Sequence, residues 1–234
     1  MSETVKNLFT DISPTYDRLN HFLSLNIDRW WRRNAIAAIK NGANENFLAL
    51  DLCAGTHDFG IECLKQFPQA QITALDFSPG MLASGTEKLK KLGLENKIKP
   101  VCGDALHMPF ADKSFDVVFC GYGVRNFDNA TQGLKEISRV LKADGQVIIL
   151  EFFKPASFAA KLFHKTYANF IIPTVGRLIS GHPEAYAYLR DSITGFVSVK
   201  EFSTILEKCG YQNISRHDFF MNVSTVVSAC NGLL

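Results

Sequence analysis

An α/β fold, with a mostly parallel sheet and helices on both faces, is what this sequence predicts. Three observations carry that prediction. From residue 47 onward short apolar runs alternate with amphipathic segments at a steady pace. Such alternation requires parallel strands joined by right-handed crossovers. Acidic residues close successive runs, at Asp51, Asp76 and Asp104. The first run also passes through a small-residue turn, Ala54-Gly55-Thr56, into a helix.

The elements follow in order. Residues 1–42 read as helical: Val5, Leu8, Phe9 and Ile12 share a face and Pro14 ends that piece. Ile27, Trp30, Trp31, Ala35, Ala38 and Ile39 mark a later helix, stopped by Asn41-Gly42. Phe47–Leu52 is the first strand, followed by a helix from Asp58 to Phe67; Gln71–Asp76 is the second strand. Ser78 caps the next helix, Pro79 takes its first position and Gly93 terminates it. Ile98–Cys102 and Phe115–Cys120 are strands three and four. A helix from Asn129 to Leu141 turns Leu134, Ile137, Val140 and Leu141 inward, and Lys142–Gly145 then leads into strand five, Gln146–Phe152.

Residues 154–196 break the rhythm with two or more helices, Phe158–Ile172 and Pro183–Ile193, around Pro173, Gly176 and Gly181. Ser198 and Glu201 then form a capping box on a helix that Gly210 ends. Ile214–Phe220 and Val223–Ala229 close the sheet as an antiparallel hairpin, making seven strands. The expected organisation is one domain over 1–234, with a helical lid at 1–42 and a substrate-side helical insertion at 154–196.

Composition narrows the function. A chain of 234 residues with 47% hydrophobic and 21% charged content has an ordinary globular balance and one sizeable core. A net charge of +2 offers no general affinity for nucleic acid, so none is expected as a partner. The apolar runs are too short to span a bilayer, and the N-terminus lacks a signal-peptide profile. Cytoplasmic residence is the default expectation. The six cysteines contain no C-x-x-C pair and read as reduced, buried thiols; no metal site is expected.

In an open α/β sheet, ligands bind beyond the carboxyl ends of the strands. A small-residue turn there lets a ligand reach the backbone, and acids at the next strand ends accept hydrogen bonds from ribose hydroxyls and a purine amine. Singly, the turn is a tight connection and Asp76 an acid at a helix N-terminus. Together and in order they describe a nucleoside cofactor site, with Asp76 on the ribose and Asp104 on the adenine. Gly121, after strand four, leaves room for a sulfonium. The turn is not G-x-G-x-x-G, because His57 stands where a further glycine belongs, which argues against a dinucleotide.

Four segments carry a more specific resemblance: Tyr16-Asp-Arg-Leu-Asn20 with Leu23-Ser24 and Trp31, Asp51–Asp58, Gly123-Val-Arg-Asn126, and Arg139–Lys142 with Gly145 and Leu150–Pro155. On these the chain resembles a Rossmann-like class I S-adenosylmethionine-dependent methyltransferase, and within that class the UbiE family of ubiquinone/menaquinone C-methyltransferases. The resemblance implies S-adenosylmethionine as cofactor, held by Thr56, Asp76, Asp104, Ala105 and Gly121, with Asp51, Gly55 and Phe77 completing the expected set. His57 replaces the family's glycine after Thr56, so its ring is expected either to point away or to shift the turn. Asp28 stands where the family usually has histidine, Ala143-Asp144 replace a common Pro-Gly, and Phe153 a usual serine.

The reaction so implied is C-methylation of a prenylated quinol, with demethylmenaquinol preferred. The alternatives are the benzoquinol of the ubiquinone pathway, another small acceptor such as a sterol or phenol, and a non-catalytic nucleoside-binding protein. A quinol carbon is strongly nucleophilic once a ring hydroxyl ionises, so Arg125 is expected to stabilise the phenolate and Asn126 to orient a hydroxyl or water. The competing reading of Arg125 is a carboxylate bridge that pins its loop. Tyr16, Asp17, Asn20 and Tyr122 are expected to line the quinol pocket. A lipid substrate raises the expectation of peripheral contact with the inner membrane face through Trp30-Trp31 and Arg29, Arg32 and Arg33, against the alternative that both tryptophans pack on the core. Phe158–Ile172 is a candidate for a greasy tunnel or a homodimer contact.

Overall fold

The structure is a computed structural model that describes residues 5, 10–13, 16–17, 21, 24, 26–40, 46–155, 183–219 and 223–232, with the backbone alone at 183–187. Asn20, the helix expected at 158–172, and His164 and His182, which the sequence offers as bases or as structural or exposed residues, lie outside the described residues.

Seven strands are described: β1 Leu48–Leu52, β2 Gln71–Asp76, β3 Ile98–Cys102, β4 Phe115–Gly121, β5 Leu141–Glu151, β6 Tyr211–Phe219 and β7 Ser224–Asn231. They form one sheet in the order β3-β2-β1-β4-β5-β7-β6. β1 to β5 pair in parallel, and β7 runs antiparallel to both β5 and β6. Six helices flank them: α1 Ile27–Ile36, α2 Asp58–Gln66, α3 Pro79–Leu92, α4 Ala130–Val140, α5 Pro183–Gly195 and α6 Val199–Lys208.

Burial on both faces explains the nearly continuous apolar runs of the central strands. Alternate residues feed opposite layers. Ala49, Val117, Phe119, Ile148 and Leu150 pack with Trp31, Ala35 and Ile36 of α1 and with Phe59, Ile61 and Leu64 of α2. Leu50, Leu52, Val118, Val147 and Ile149 pack with Leu134 and Ile137 of α4 and with Phe202 and Leu206 of α6. Part of the segment read as a lid, 27–36, is therefore built into one face of the core.

Helix ends form where the residues ask for them. Ser78 accepts from the Met81 amide, Pro79 opens α3, and Gly93 closes it at φ 65°. The Ser198/Glu201 capping box opens α6. One boundary differs from expectation. The Lys142–Gly145 segment is a bulge inside β5, because Leu141 pairs with Phe115 directly after α4. Asp144 takes φ 60° there. β3 is one edge of the sheet, bonded only to β2, with Lys99 and Pro100 exposed.

β1 and β4 lie side by side while their sequence neighbours diverge, β2 to one side and β5 to the other. That is the topological switch point, where a ligand crevice opens. It brings the segments after β1, β2, β3 and β4 to one rim.

Candidate active site

At that rim lies a narrow cleft, partly open to solvent and lined by Cys53, Leu75, Asp76, Phe77, Gly103, Asp104, Ala105 and Phe127. Asp76, Phe77, Asp104 and Ala105 were expected here, and Cys53 was placed by the sequence in the turn after β1; Leu75, Gly103 and Phe127 were not expected. Asp76 is buried at the end of β2. Its Oδ2 accepts from the Gly55 amide at 2.8 Å and its Oδ1 from the Ser78 amide at 2.8 Å. Burial pushes this carboxyl up, while the Ser78, Gly55 and Phe77 amides pull it down. A carboxylate offers about four lone-pair sites, so three amides still leave one for a ligand hydroxyl. Asp104 is about half exposed, and its Oδ1 accepts from the Leu106 amide at 3.0 Å.

The turn after β1 is unusual for its φ angles. Cys53, Gly55 and His57 stand at 58°, 53° and 67°, and only one of the three is glycine. A left-handed L-residue costs roughly 1–2 kcal/mol. The His57 ring points away from the turn onto α3, the first of the two outcomes expected for it. A Cβ at Gly85 would lie 2.7 Å from His57 Nε2 and 3.1 Å from its Cγ. Gly85 thus provides the room the ring occupies, at a helical position where glycine costs about 1 kcal/mol relative to alanine. Neither ring nitrogen has a hydrogen-bond partner among the described residues. Burial, and then Lys88, push the His57 pKa down to about 4, so the imidazole is neutral.

Thr56 is buried, and its hydroxyl donates to Asp17 Oδ1 at 2.5 Å. Lys88 bridges Asp17 at 2.5 Å and Asp58 at 2.7 Å. Arg32 bonds Asp28 at 2.6 Å and reaches Asp58 at 3.2 Å. Asp28 also accepts from Ser24 at 2.6 Å and bonds His21 Nδ1 at 2.7 Å. Burial pushes the Asp28 carboxyl up, and Arg32, Ser24 and His21 outweigh it to hold it below the usual range. Through this cluster the N-terminal segment is tied to the cofactor turn.

Asp51 is not among the cleft's lining residues. Strand alternation sends Leu50 and Leu52 to one face and Asp51 to the other, where its Oδ2 accepts from the Gly60 amide in α2 at 2.9 Å. Burial drives its carboxyl well above the usual range. Beside Gly121 the space of a side chain is occupied by Phe59, whose Cδ1 would lie 2.9 Å from a Cβ there.

Arg125 and Asn126 fall in a 3-10 turn, Val124–Asn126, beyond β4. Arg125 is an ion-pair pin: its Nη1 contacts Glu151 Oε1 at 2.8 Å, with side chains 5% and 0% exposed. Its amide also donates to Glu151 Oε2 at 3.2 Å, and Nη1 donates to the Tyr122 carbonyl at 2.5 Å. The carboxylate bridge weighed against a phenolate role for Arg125 is thus present, and a buried Glu151 needs such a charge partner. Burial works against the Arg125 charge; Glu151 outweighs it, with Tyr16 and Tyr188 contributing less. Asn126 is 9% exposed and accepts from the Tyr188 hydroxyl at 2.8 Å. Tyr122 stacks on Phe152 at 4.4 Å, with its hydroxyl 3.3 Å from Ser224 Oγ.

The model of the ubiE/COQ5 methyltransferase family matches residues 1–230. The chain belongs to that family. Demethylmenaquinone methyltransferase of Bacteroides fragilis is 36% identical over 97% of this chain and 92% of its own. The ubiquinone/menaquinone biosynthesis C-methyltransferase UbiE of Geobacter sulfurreducens is 36% identical over 99% of this chain and 90% of its own. Among solved structures, an S-adenosylmethionine-dependent methyltransferase from Thermotoga maritima, described as a possible histamine N-methyltransferase, superposes with a TM-score of 0.67 at 15% identity, covering 96% of this chain and 98% of its own. At that identity the likeness shows the fold alone.

In this ubiE/COQ5 family member the two tryptophans part company. Trp31 is buried and stacks on Phe219, whereas Trp30 is 52% exposed and meets the edge of Phe219. All six cysteines are free; Cys63, Cys120 and Cys209 are buried as expected, whereas Cys53 and Cys230 are half-buried and Cys102 is exposed. Tyr188, on α5, touches Asn126 and was not among the expected site residues. Its one signal was an aromatic in the insertion, which reads equally well as packing.

Proposed function

We propose that this protein transfers the methyl group of S-adenosylmethionine to a ring carbon of a prenylated quinol, demethylmenaquinol foremost. The observation that carries the reading is the cleft at the switch point, where a buried acid at the end of β2 and an exposed acid after β3 face the same rim. The names of the two relatives, both quinone-pathway methyltransferases, supply the acceptor class.

The residues fit the cofactor. Asp76 accepts a ribose hydroxyl with its remaining lone pair, and Asp104 accepts the adenine amine. Leu75, Phe77, Ala105 and Phe127 provide apolar walls for the base. Gly103 keeps that wall thin, since a Cβ there would stand 3.2 Å from Leu75 Cδ1. When bound, S-adenosylmethionine supplies an electrophilic methyl on a sulfonium. The protein's own task is to make the quinol ring nucleophilic at neutral pH. A phenol ionises near pH 10, so the site must favour loss of that proton by roughly one to three pH units. Asn126 does this by donating to the oxygen that loses it. The Arg125–Glu151 pair fixes the turn that carries Asn126, and Tyr16, Asn20 and Tyr122 contribute to the acceptor side.

The exposed face of α1 is the proposed membrane contact. Ile27 is 45% and Trp30 52% exposed, with Arg29 and Arg33 exposed beside them. No helix among the described residues is long and apolar enough to cross a membrane. Co-sedimentation with anionic vesicles at low salt tests this face, and absence of binding removes it.

The function is tested with purified protein, S-adenosylmethionine and dithionite-reduced demethylmenaquinone, with the quinones read by mass spectrometry. Product heavier by one methylene unit is expected. Cofactor binding without product points to another small acceptor, and no cofactor binding to a nucleoside-binding protein of another kind.

A further inference from the structure

Two residues one turn apart on α5, Tyr188 and Ser192, meet two consecutive residues of the turn beyond β4. The Tyr188 hydroxyl lies 2.8 Å from Asn126 Oδ1, and Arg125 Nε lies 3.3 Å from Ser192 Oγ. Positions i and i+4 share a helix face, so this edge of α5 is docked along the turn. The contact at Asn126 differs in kind from the one at Arg125. Arg125 is already held by Glu151 and by the Tyr122 carbonyl. Asn126 has a carboxamide that can rotate end for end, exchanging a donor edge for an acceptor edge.

Two neighbours decide the orientation. The Tyr122 carbonyl, 3.4 Å from Asn126 Nδ2, can only accept, so the edge facing it is the amino edge. The other edge is then the oxygen, and Tyr188 must donate to it. The Tyr122 contact is long and weak by itself. The 2.8 Å bond from Tyr188 is the stronger of the two constraints on the amide.

We propose that Tyr188 is a positioning residue: it locks the Asn126 amide so that the Nδ2 edge donates to the quinol oxygen that ionises during methyl transfer. This rests on the quinol reading above and assigns a further residue to it. Without the lock, Asn126 can present its oxygen to the developing phenolate, which repels the charge instead of stabilising it. The loss therefore falls on the ionisation of the acceptor.

The test is the pH dependence of kcat for Tyr188→Phe, which removes the hydroxyl and keeps the ring. Below the acceptor's pKa, turnover follows the ionised fraction, so a one-unit rise in that pKa is about a tenfold loss. The expected result is an ascending limb displaced upward by about one pH unit, with the alkaline plateau retained and cofactor affinity by calorimetry unchanged. A wild-type profile, or turnover reduced by one factor at every pH, overturns the proposal. Asn126→Ala provides a second arm. If Tyr188 acts through Asn126, adding Tyr188→Phe to Asn126→Ala costs no further activity; an additional loss overturns it. Failure of the underlying quinol reading looks different, since the wild-type protein would then yield no methylated quinol.

Discussion

Gly85→Ala should destabilise the protein as it stands and stabilise it once His57 is glycine. In an unobstructed helix interior the change from glycine to alanine gains about 1 kcal/mol. Here the added methyl would overlap the His57 ring edge and lie 2.7 Å from Nε2. The ring is fully buried and has no outward escape. Overpacking of that kind costs about 1–3 kcal/mol, so the net effect is a loss of up to about 2 kcal/mol. In His57→Gly the obstruction is gone, the φ of 67° suits the residue, and the alanine methyl enters vacated space. Gly85→Ala should then gain about 1 kcal/mol, giving a coupling of about 1–3 kcal/mol between the two sites. Equilibrium urea unfolding of the four proteins measures it. A cost for Gly85→Ala that agrees within about 0.5 kcal/mol in both backgrounds would refute the reasoning.

Other outcomes follow from the same geometry. Glu151→Ala leaves Arg125 buried without its partner and should cost about 3–5 kcal/mol in urea unfolding, and a loss below about 1 kcal/mol would show the pair to be solvated. His57 binds a proton near pH 6.5 when unfolded and near 4 when folded, so stability is full above 6.5 and falls as the pH drops between these values. At about 1.4 kcal/mol per pH unit the total is about 3 kcal/mol; His57→Phe should lack this slope, and parallel pH profiles for the two proteins would count against it. Asp104→Ala should weaken S-adenosylmethionine binding about tenfold by calorimetry with little change in stability, whereas Asp76→Ala should lower both, because the buried Gly55 and Ser78 amides lose their acceptor.

Strand ends were readable because a period of two and a period of 3.6 are local properties, and so spacing alone put Asp76 at the end of β2 and Asp104 just beyond β3. Asp51 carried its own signal, which the reading passed over: alternation with Leu50 and Leu52 turns it toward α2 and away from the cleft. The direction of His57 was not readable, because a left-handed φ swings the side chain off the helical path and the space that receives it lies 28 residues away at Gly85. Tyr188 was hidden for a related reason. Its bond to Asn126 spans 62 residues and depends on how α5 crosses the end of β4, which no local pattern encodes. Arg125 could be narrowed to two roles from sequence, but the carboxylate that pairs with it, Glu151 at the end of β5, could not be singled out by any local pattern.

The exposed edge formed by β3 bears on how copies of this protein can meet. An open strand normally offers a row of amides and carbonyls on which another chain can add a strand. Pro100 removes one donor from that row and Lys99 sets a charge beside it. Sheet-to-sheet growth through this side is thereby discouraged during folding and at high concentration. Strand addition from a second copy is therefore disfavoured at the edge that flanks the β2–β3 rim of the cleft.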